Sequence, residues 1–280
     1  MKRFLLLFLL FGSAPLFAGN DNLPVGARSA GMANASVGLQ DVWSVHHNQA
    51  GLAFLDAPTA SVYYENRYLL REMGLSAFAF ALPVKQGTFG LLYHAFGSAA
   101  YNESKTSLAY GMKLSPVFSV GIGLNYTTIR FGDVYGRSSA LCADLGFQVQ
   151  VTKDLRIAAH AYNLNRAKHS GIVNNEYIPS IMRLGAHYTV SPKVIVATEV
   201  QKDIDHPVVF RAGAEYKVVE KLAIRAGVST RPTLNNFGFG FYLKQFTLDV
   251  AASYHQTLGF SPQVGMTYRF GKEKSETPAR

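Results

Sequence analysis

From about residue 57 onward, apolar and polar residues alternate nearly one for one along the chain. Successive side chains of an extended strand point to opposite faces. Between Val209 and Val218, Phe210, Ala212, Ala214, Tyr216 and Val218 therefore share one face, and Val209, Arg211, Gly213, Glu215 and Lys217 the other. The pattern repeats with Leu222, Ile224, Ala226 and Val228 against Lys221, Ala223, Arg225, Gly227 and Ser229, and with Phe246, Leu248, Val250, Ala252 and Tyr254 against Gln245, Thr247, Asp249, Ser253 and His255. These runs exceed the usual strand of about 5–6 residues and match the roughly 9–11 residues with which a tilted strand crosses a bilayer. A soluble sandwich would carry many more charges on its outward face. The polar phase here instead mixes Gly, Ser and Thr with a few charges, and aromatics gather near the ends of the runs, as in strands with one face to lipid and one to a lumen.

Short turn signals, such as Pro83–Gly87, Ser115-Pro116, Thr152–Asp154, Ser191–Lys193, Val219–Lys221 and Leu243–Gln245, alternate with longer polar stretches at 97–105, 132–138, 165–179 and 255–262. Short turns on one rim and long loops on the other are the habit of outer-membrane barrels. The pattern predicts about fourteen strands, at 59–68, 74–83, 87–97, 104–114, 117–131, 138–151, 154–164, 180–190, 193–203, 206–218, 221–231, 234–243, 245–256 and 261–270. The fold class is thus all-β: a transmembrane antiparallel barrel over residues 57–270, preceded by a segment at 19–56 that does not alternate. The charged stretch 271–280 has no apolar period and reads as a disordered tail. In the last strand, Gln263, Gly265, Tyr268 and Phe270 have the spacing of a terminal barrel-assembly signal, which would make the assembly machinery a partner during insertion.

The start of the chain assigns the compartment. Lys2 and Arg3 precede the apolar run Phe4–Phe11, then come Gly12, Ser13, Pro15 and a small residue at Ala18. That is the layout of a cleavable secretory leader over residues 1–18, too short for the roughly 20 apolar residues of a spanning helix. Together with the barrel pattern it places the mature chain in an outer membrane of the Gram-negative type, with lipid as its surroundings. Composition agrees: aromatics are 12% and charged residues only 16%, against about 25% charged in globular proteins. The net charge is +9, of which Lys2 and Arg3 contribute two, leaving +7; the basic residues are scattered rather than clustered, so nucleic acid is not expected as a partner. The single Cys142 excludes an internal disulfide.

Residues 19–56 read as a plug inside the barrel. The run Gly26–Gly38 is rich in small residues, which let a segment thread a narrow space. Gly26 and Gly31, followed by Asn48-x-Ala50-Gly51-Leu52, resemble the N-terminal hatch of FadL-type long-chain fatty-acid transporters, and more closely that of the PorV and PorQ type barrels associated with type IX protein secretion. Gln49 stands where those families carry Pro. The resemblance implies a fourteen-stranded barrel with an internal hatch, and two roles: an accessory or docking component of a secretion or assembly complex, with a protein partner, or a passive transporter of a hydrophobic ligand.

No catalytic constellation accompanies this pattern, so a non-enzyme without cofactor or metal is expected. His46 and His47, read as neighbours on an extended segment, diverge and make a poor chelate. The other histidines lie one per segment. Arg183, Glu199, Arg211, Glu215, Arg225 and Asp249 all fall on the lumen phase of nearby strands with mixed sign. Charges in a confined lumen are expected to pair, forming a network that ties plug to wall. By its length, the loop 165–179 is expected to face a partner.

Overall fold

The computed structural model describes residues 22–132, 136–171 and 177–271. The expected leader, and the tail from residue 272 onward, lie outside them.

Fifteen strands form one antiparallel sheet, and fourteen of them make a closed barrel. They are β1 (Thr59–Asn66), β2 (Gly74–Val84), β3 (Gly87–Gly97), β4 (Tyr101–Lys113), β5 (Phe118–Phe131), β6 (Arg137–Gln150), β7 (Leu155–Tyr162), β8 (Ser170–Gly171), β9 (Ile181–Ser191), β10 (Val194–Asp203), β11 (Val209–Val219), β12 (Leu222–Thr230), β13 (Thr233–Leu243), β14 (Phe246–His255) and β15 (Gly259–Arg269). Each wall strand pairs with its neighbour in sequence order, β7 with β9. Closure comes from β1 against β15, in register from Thr59↔Arg269 to Glu65↔Gln263. The exception, β8, is a two-residue strand inside the 163–180 connection that pairs with the top of β6 at Ser138 and Ser139. Closure satisfies the backbone of the wall without leaving an edge in lipid.

Both chain ends of the barrel, Thr59 and Arg269, lie on the rim that holds the tight turns. The opposite rim carries the longer connections. The alternation maps onto this wall directly. Leu108, Ile122 and Met182 point outward with 56%, 58% and 62% of their surface exposed, while Ser107, Gly121 and Arg183 beside them face in. An outer surface this apolar is far larger than the patches soluble proteins expose, and it is the surface lipid covers. Aromatic residues mark its borders. Phe89 packs on Tyr110, and Phe246 on Tyr268, near the short-turn rim; Tyr254 packs on Phe260 near the long-loop rim. Strand β1 ends at Asn66, two residues earlier than the sequence pattern predicts, because Tyr68 and Leu69 adopt left-handed φ of 54° and 60° and turn the chain into short 3-10 segments.

The N-terminal segment fills the lumen. Helix α1 (Ala27–Gly31), helix α2 (Ser44–His47) and a 3-10 turn (Gln49–Phe54) run through it, and nearly all of residues 22–52 are buried. One side of the hatch is apolar. Val25, Trp43, Val45 and Leu52 pack on Leu75, Ala77, Ala79, Ala81 and Leu92 of the wall, so those inward alanines make room for the hatch rather than for a ligand. Glycines admit its backbone. Gly111, Gly121 and Gly146 are direct register neighbours across β4, β5 and β6. A Cβ at Gly111 would lie 2.3 Å from the Gln49 carbonyl oxygen, one at Gly121 2.2 Å from the Gln49 carbonyl carbon, and one at Gly146 2.1 Å from Asn48 Oδ1. Across the lumen, Gly213 and Gly227 are paired on β11 and β12 and receive the Met32–Ala33 backbone in the same way.

Gly121→Ala should therefore shift the hatch or its wall, at a cost of roughly 1–3 kcal/mol as in other overpacked cores. The expected readout is a lower midpoint for the heat-induced mobility change of the barrel on gels, with faster proteolysis of residues 22–56. An unchanged midpoint and cleavage rate would show that the hatch does not press on this band.

Candidate functional site

The lumen is divided by the hatch into an upper cavity of about 470 Å³, toward the long-loop rim, and a lower one of about 310 Å³, toward the short-turn rim. What keeps them apart is a set of polar contacts between an irregular backbone and strand side chains. Non-helical backbone at membrane depth is tolerated only when the protein itself satisfies its hydrogen bonds. Asn236 Nδ2 donates to the Ala30 carbonyl (2.8 Å), Gln148 Nε2 to those of Val37 and Leu39 (3.2 and 3.1 Å), and Arg156 Nη1 to that of Gly38 (2.9 Å). The amides of Ser36 and Val37 donate to Glu199 Oε2 at 2.9 and 2.8 Å.

Glu199, Arg211, Glu215, Arg225 and Asp249 form ion pairs in two pieces, and the larger piece includes Arg28, a residue that strand phase did not single out. Arg28 of α1 forks onto Glu215, Nε to Oε2 at 2.9 Å and Nη2 to Oε1 at 2.8 Å, and lies 3.5 Å from Asp41. Glu215 also accepts from Arg225 Nε at 2.6 Å, and Arg225 Nη1 reaches Asp249 at 2.7 Å. The second piece is Glu199 with Arg211, at 2.9 Å. Arg183 belongs to neither piece; its guanidinium faces the upper cavity. Arg28 had one visible sign in the sequence, since it is the only charge in the small-residue run 26–38.

The other residues marked in the sequence fall into place around this frame. Gly26 takes a left-handed φ of 94° at the start of α1, and a Cβ there would strike the Trp43 ring at 2.9 Å. Gly31 passes Arg225 and Gly238, and Gly51 lies against Ser44 and the Leu39 carbonyl. Asn48 caps the 3-10 turn by accepting from the Ala50 amide (3.2 Å), while its Nδ2 donates to the Val37 carbonyl at 2.8 Å. The turn thus forms without proline at position 49: Gln49 is inside it, and its Nε2 donates to Asp144 at 3.3 Å. Leu52 is buried in the apolar contact.

His46 and His47 lie on a helical turn, not on an extended segment, because the amides of both donate to the Trp43 carbonyl (2.9 and 3.1 Å). Their ring centroids are 5.1 Å apart and nearly perpendicular; Lys105 Nζ donates to His46 Nδ1 at 2.9 Å, and His47 Nε2 to the Val25 carbonyl at 2.7 Å. At the closing strand, Gln263 and Gly265 face in, while Tyr268 and Phe270 share the lipid face, their ring centroids 4.7 Å apart.

The ladder of the wall is interrupted beside β6. Its lower half pairs with β7 from Leu145↔Ala161 to Gln150↔Arg156, but from Asp144 up to Ala140 no strand partner follows among the described residues, until β8 pairs with Ser139 and Ser138. The connection after β7 fills in. Leu164 N donates to the Ala143 carbonyl at 2.9 Å, Asn165 Oδ1 accepts from the Ala143 amide at 3.0 Å, and Asn165 Nδ2 donates to the Leu141 carbonyl at 3.0 Å. Behind this patch Cys142, Tyr162, Ile178 and Ile181 cluster. The loop expected to face a partner is therefore in part a piece of the wall, although its Tyr177 is 51% exposed; residues 172–176 lie outside the described residues.

A lipid-facing wall, aromatic borders and a hatch-filled lumen define an integral β-barrel of the outer-membrane kind. No protein-family model matches the sequence, and neither does any curated protein sequence. The fold is similar to that of the Ralstonia pickettii toluene transporter TbuX, with 14% identity, TM-score 0.65, and 88% of this chain and 98% of that one covered. It is also similar to a Pseudomonas aeruginosa FadL homologue (13% identity, TM-score 0.68, 89% and 99% covered). The Pseudomonas putida toluene transporter TodX aligns as well, at 10% identity and TM-score 0.66, with 86% of this chain and 96% of that one covered.

Glu215→Ala should leave the part-exposed Arg28 with only its 3.5 Å contact to Asp41 and the buried Arg225 with only Asp249, at a cost near the lower end of the roughly 3–5 kcal/mol of a broken buried pair. Arg28→Met, which leaves Glu215 paired with Arg225 and only the part-exposed Asp41 without its cation, should cost less. Thermal unfolding in detergent ranks the two variants. The reverse order would show that the Arg28 contact, rather than Glu215 itself, centres the network.

Proposed function

We propose that this barrel is a passive transporter that lets small molecules with apolar bodies enter the upper cavity and leave sideways through the wall. The observation that carries this reading is the incomplete ladder of β6 between Ala140 and Asp144. An axial path would require unseating the hatch from its glycine bands, from the Arg28–Glu215 ion pair and from Glu199, which accepts from the Ser36 and Val37 amides. The lateral path requires that Asn165 and the Leu164 backbone leave Ala143 and Leu141, and that the small cluster of Cys142, Tyr162, Ile178 and Ile181 behind them part. Ile181, which lines the upper cavity, is the register partner of Tyr162, one of the residues behind the patch, so cavity and patch are adjacent. The likeness in fold to proteins described as toluene transporters supports the same reading.

A second reading, a docking component of a secretion or assembly complex in the manner of the PorV and PorQ barrels, draws on the long-loop rim. Leu69, Leu70, Ile204 and Leu258 are each about half exposed or more there. Those side chains are compatible with a protein partner, but they lie on separate loops, and nothing else about them selects one.

The lateral route is tested by bridging it. Ala143→Cys with Leu164→Cys, in a Cys142→Ala background, places two thiols across the paired backbone of the patch. In proteoliposomes, oxidation should reduce toluene entry at least several-fold, and reductant should restore it. Unaltered flux in the oxidised protein would eliminate the wall route, and flux no greater than in protein-free vesicles would eliminate the transporter.

A further inference from the structure

The upper cavity has an electrostatic bias that transport of neutral hydrocarbon does not call for. Four arginines line it (Arg67, Arg183, Arg211 and Arg231) against two carboxylates, Glu65 and Asp203. Most of these charges are already matched. Arg67 pairs with Glu65 at 3.0 Å, Asp203 with His206 at 2.9 Å, and Arg211 with Glu199 at 2.9 Å and with Gln201 Oε1 at 2.8 Å. Arg231 is exposed at the rim and donates to the Val208 carbonyl.

Arg183 is different. It is 6% exposed, its Nε is buried with no hydrogen-bond partner, and among the described residues no acid or carbonyl bonds its guanidinium. Glu199, on the lumen face of the adjacent strand, has both oxygens committed, one to Arg211 and the other to the Ser36 and Val37 amides. A guanidinium carries five donors and cannot shed its proton, and a buried charge without partners is strongly disfavoured. Its ordinary remedy is an anion with two oxygens for the fork. Elsewhere in the cavity lining, Ser229 donates to the Pro232 carbonyl (2.8 Å) and Gln263 Nε2 to Ser253 Oγ (3.0 Å), so these groups are already engaged and do not compete for Arg183, while Tyr63, Ile181 and Leu234 offer apolar surface.

We propose that the upper cavity is a binding site for a compact organic monocarboxylate, with the carboxylate on Arg183 and an aromatic or short aliphatic body against the apolar lining. The body must be compact, because the hatch closes the cavity from below and polar side chains interrupt its lining. This rests on the transporter reading for its role, but the binding itself does not, and the two are measured separately.

Benzoate and toluene differ at the ring substituent, a carboxylate in one and a methyl in the other, so the pair isolates the carboxylate. Titration calorimetry on the detergent-purified full chain should show benzoate binding about tenfold or more tighter than toluene, the scale of one charge-assisted contact in a shielded site. Arg183→Gln should remove that preference while leaving toluene binding unaltered. Ser229→Trp, which fills the cavity without touching the charge, should abolish benzoate binding, so the assignment stays testable if the Arg183 variant fails to fold. Equal affinity for the two ligands, a benzoate affinity indifferent to either substitution, or tighter binding of palmitate than of benzoate would each overturn it. Proteoliposome flux decides the other question: benzoate binding without flux keeps the site and removes the transporter, whereas toluene flux without a benzoate preference keeps the transporter and removes the site.

Discussion

The structure depends on the close approach of one backbone to another. About thirty residues of irregular chain have to pass through a lumen of fourteen strands, and they fit only where the strands have no side chains. The in-register triad Gly111, Gly121 and Gly146, and the pair Gly213 and Gly227 opposite, are the places where hatch backbone lies almost directly on wall backbone. Interiors packed this densely have no slack for an added methyl group. Every other contact of the hatch, including the Asn48 cap and the reach of the Gln49 amide to Asp144, depends on that approach having been made.

The two sides of the hatch are held by different physics. Toward β1–β4 the contact is apolar, centred on Trp43 and Leu52, and it resembles a small protein core. Toward β11–β14 it is ionic, with Arg28 clasped by Glu215 and Glu215 shared with Arg225. Buried ion pairs add little net stability, but they penalise any misplacement that leaves one partner alone. The apolar side supplies adhesion and the ionic side supplies register. A hatch held in this way blocks axial flow, which turns attention to the upper half of β6, where amide and loop atoms do the work of a missing strand, and to the cavity that borders it.

Much of this could be read from the chain before any coordinates. Period-two alternation from Thr59 to Arg269 defined the strands, their number and their inward and outward faces, because that period is a local property of extended backbone. The phase of Glu215, Arg225 and Asp249 was legible for the same reason, and their opposite signs in a confined lumen implied pairing. The hatch, too, was visible as a stretch that broke the alternation and was rich in small residues.

What tertiary structure alone decided was everything that depends on which strand residues stand side by side. Sequence phase places Gly111, Gly121 and Gly146 on the lumen face but says nothing of their shared level, which is a matter of register between strands. It placed Arg183 and Glu199 on the lumen face alike. Only the folded barrel shows that Glu199 is taken by Arg211 and the hatch amides while Arg183 is left to the cavity. Arg28 and the helical turn at His46–His47 were hidden for a related reason. An irregular segment has no period, so its side chains take their directions from the walls that enclose it.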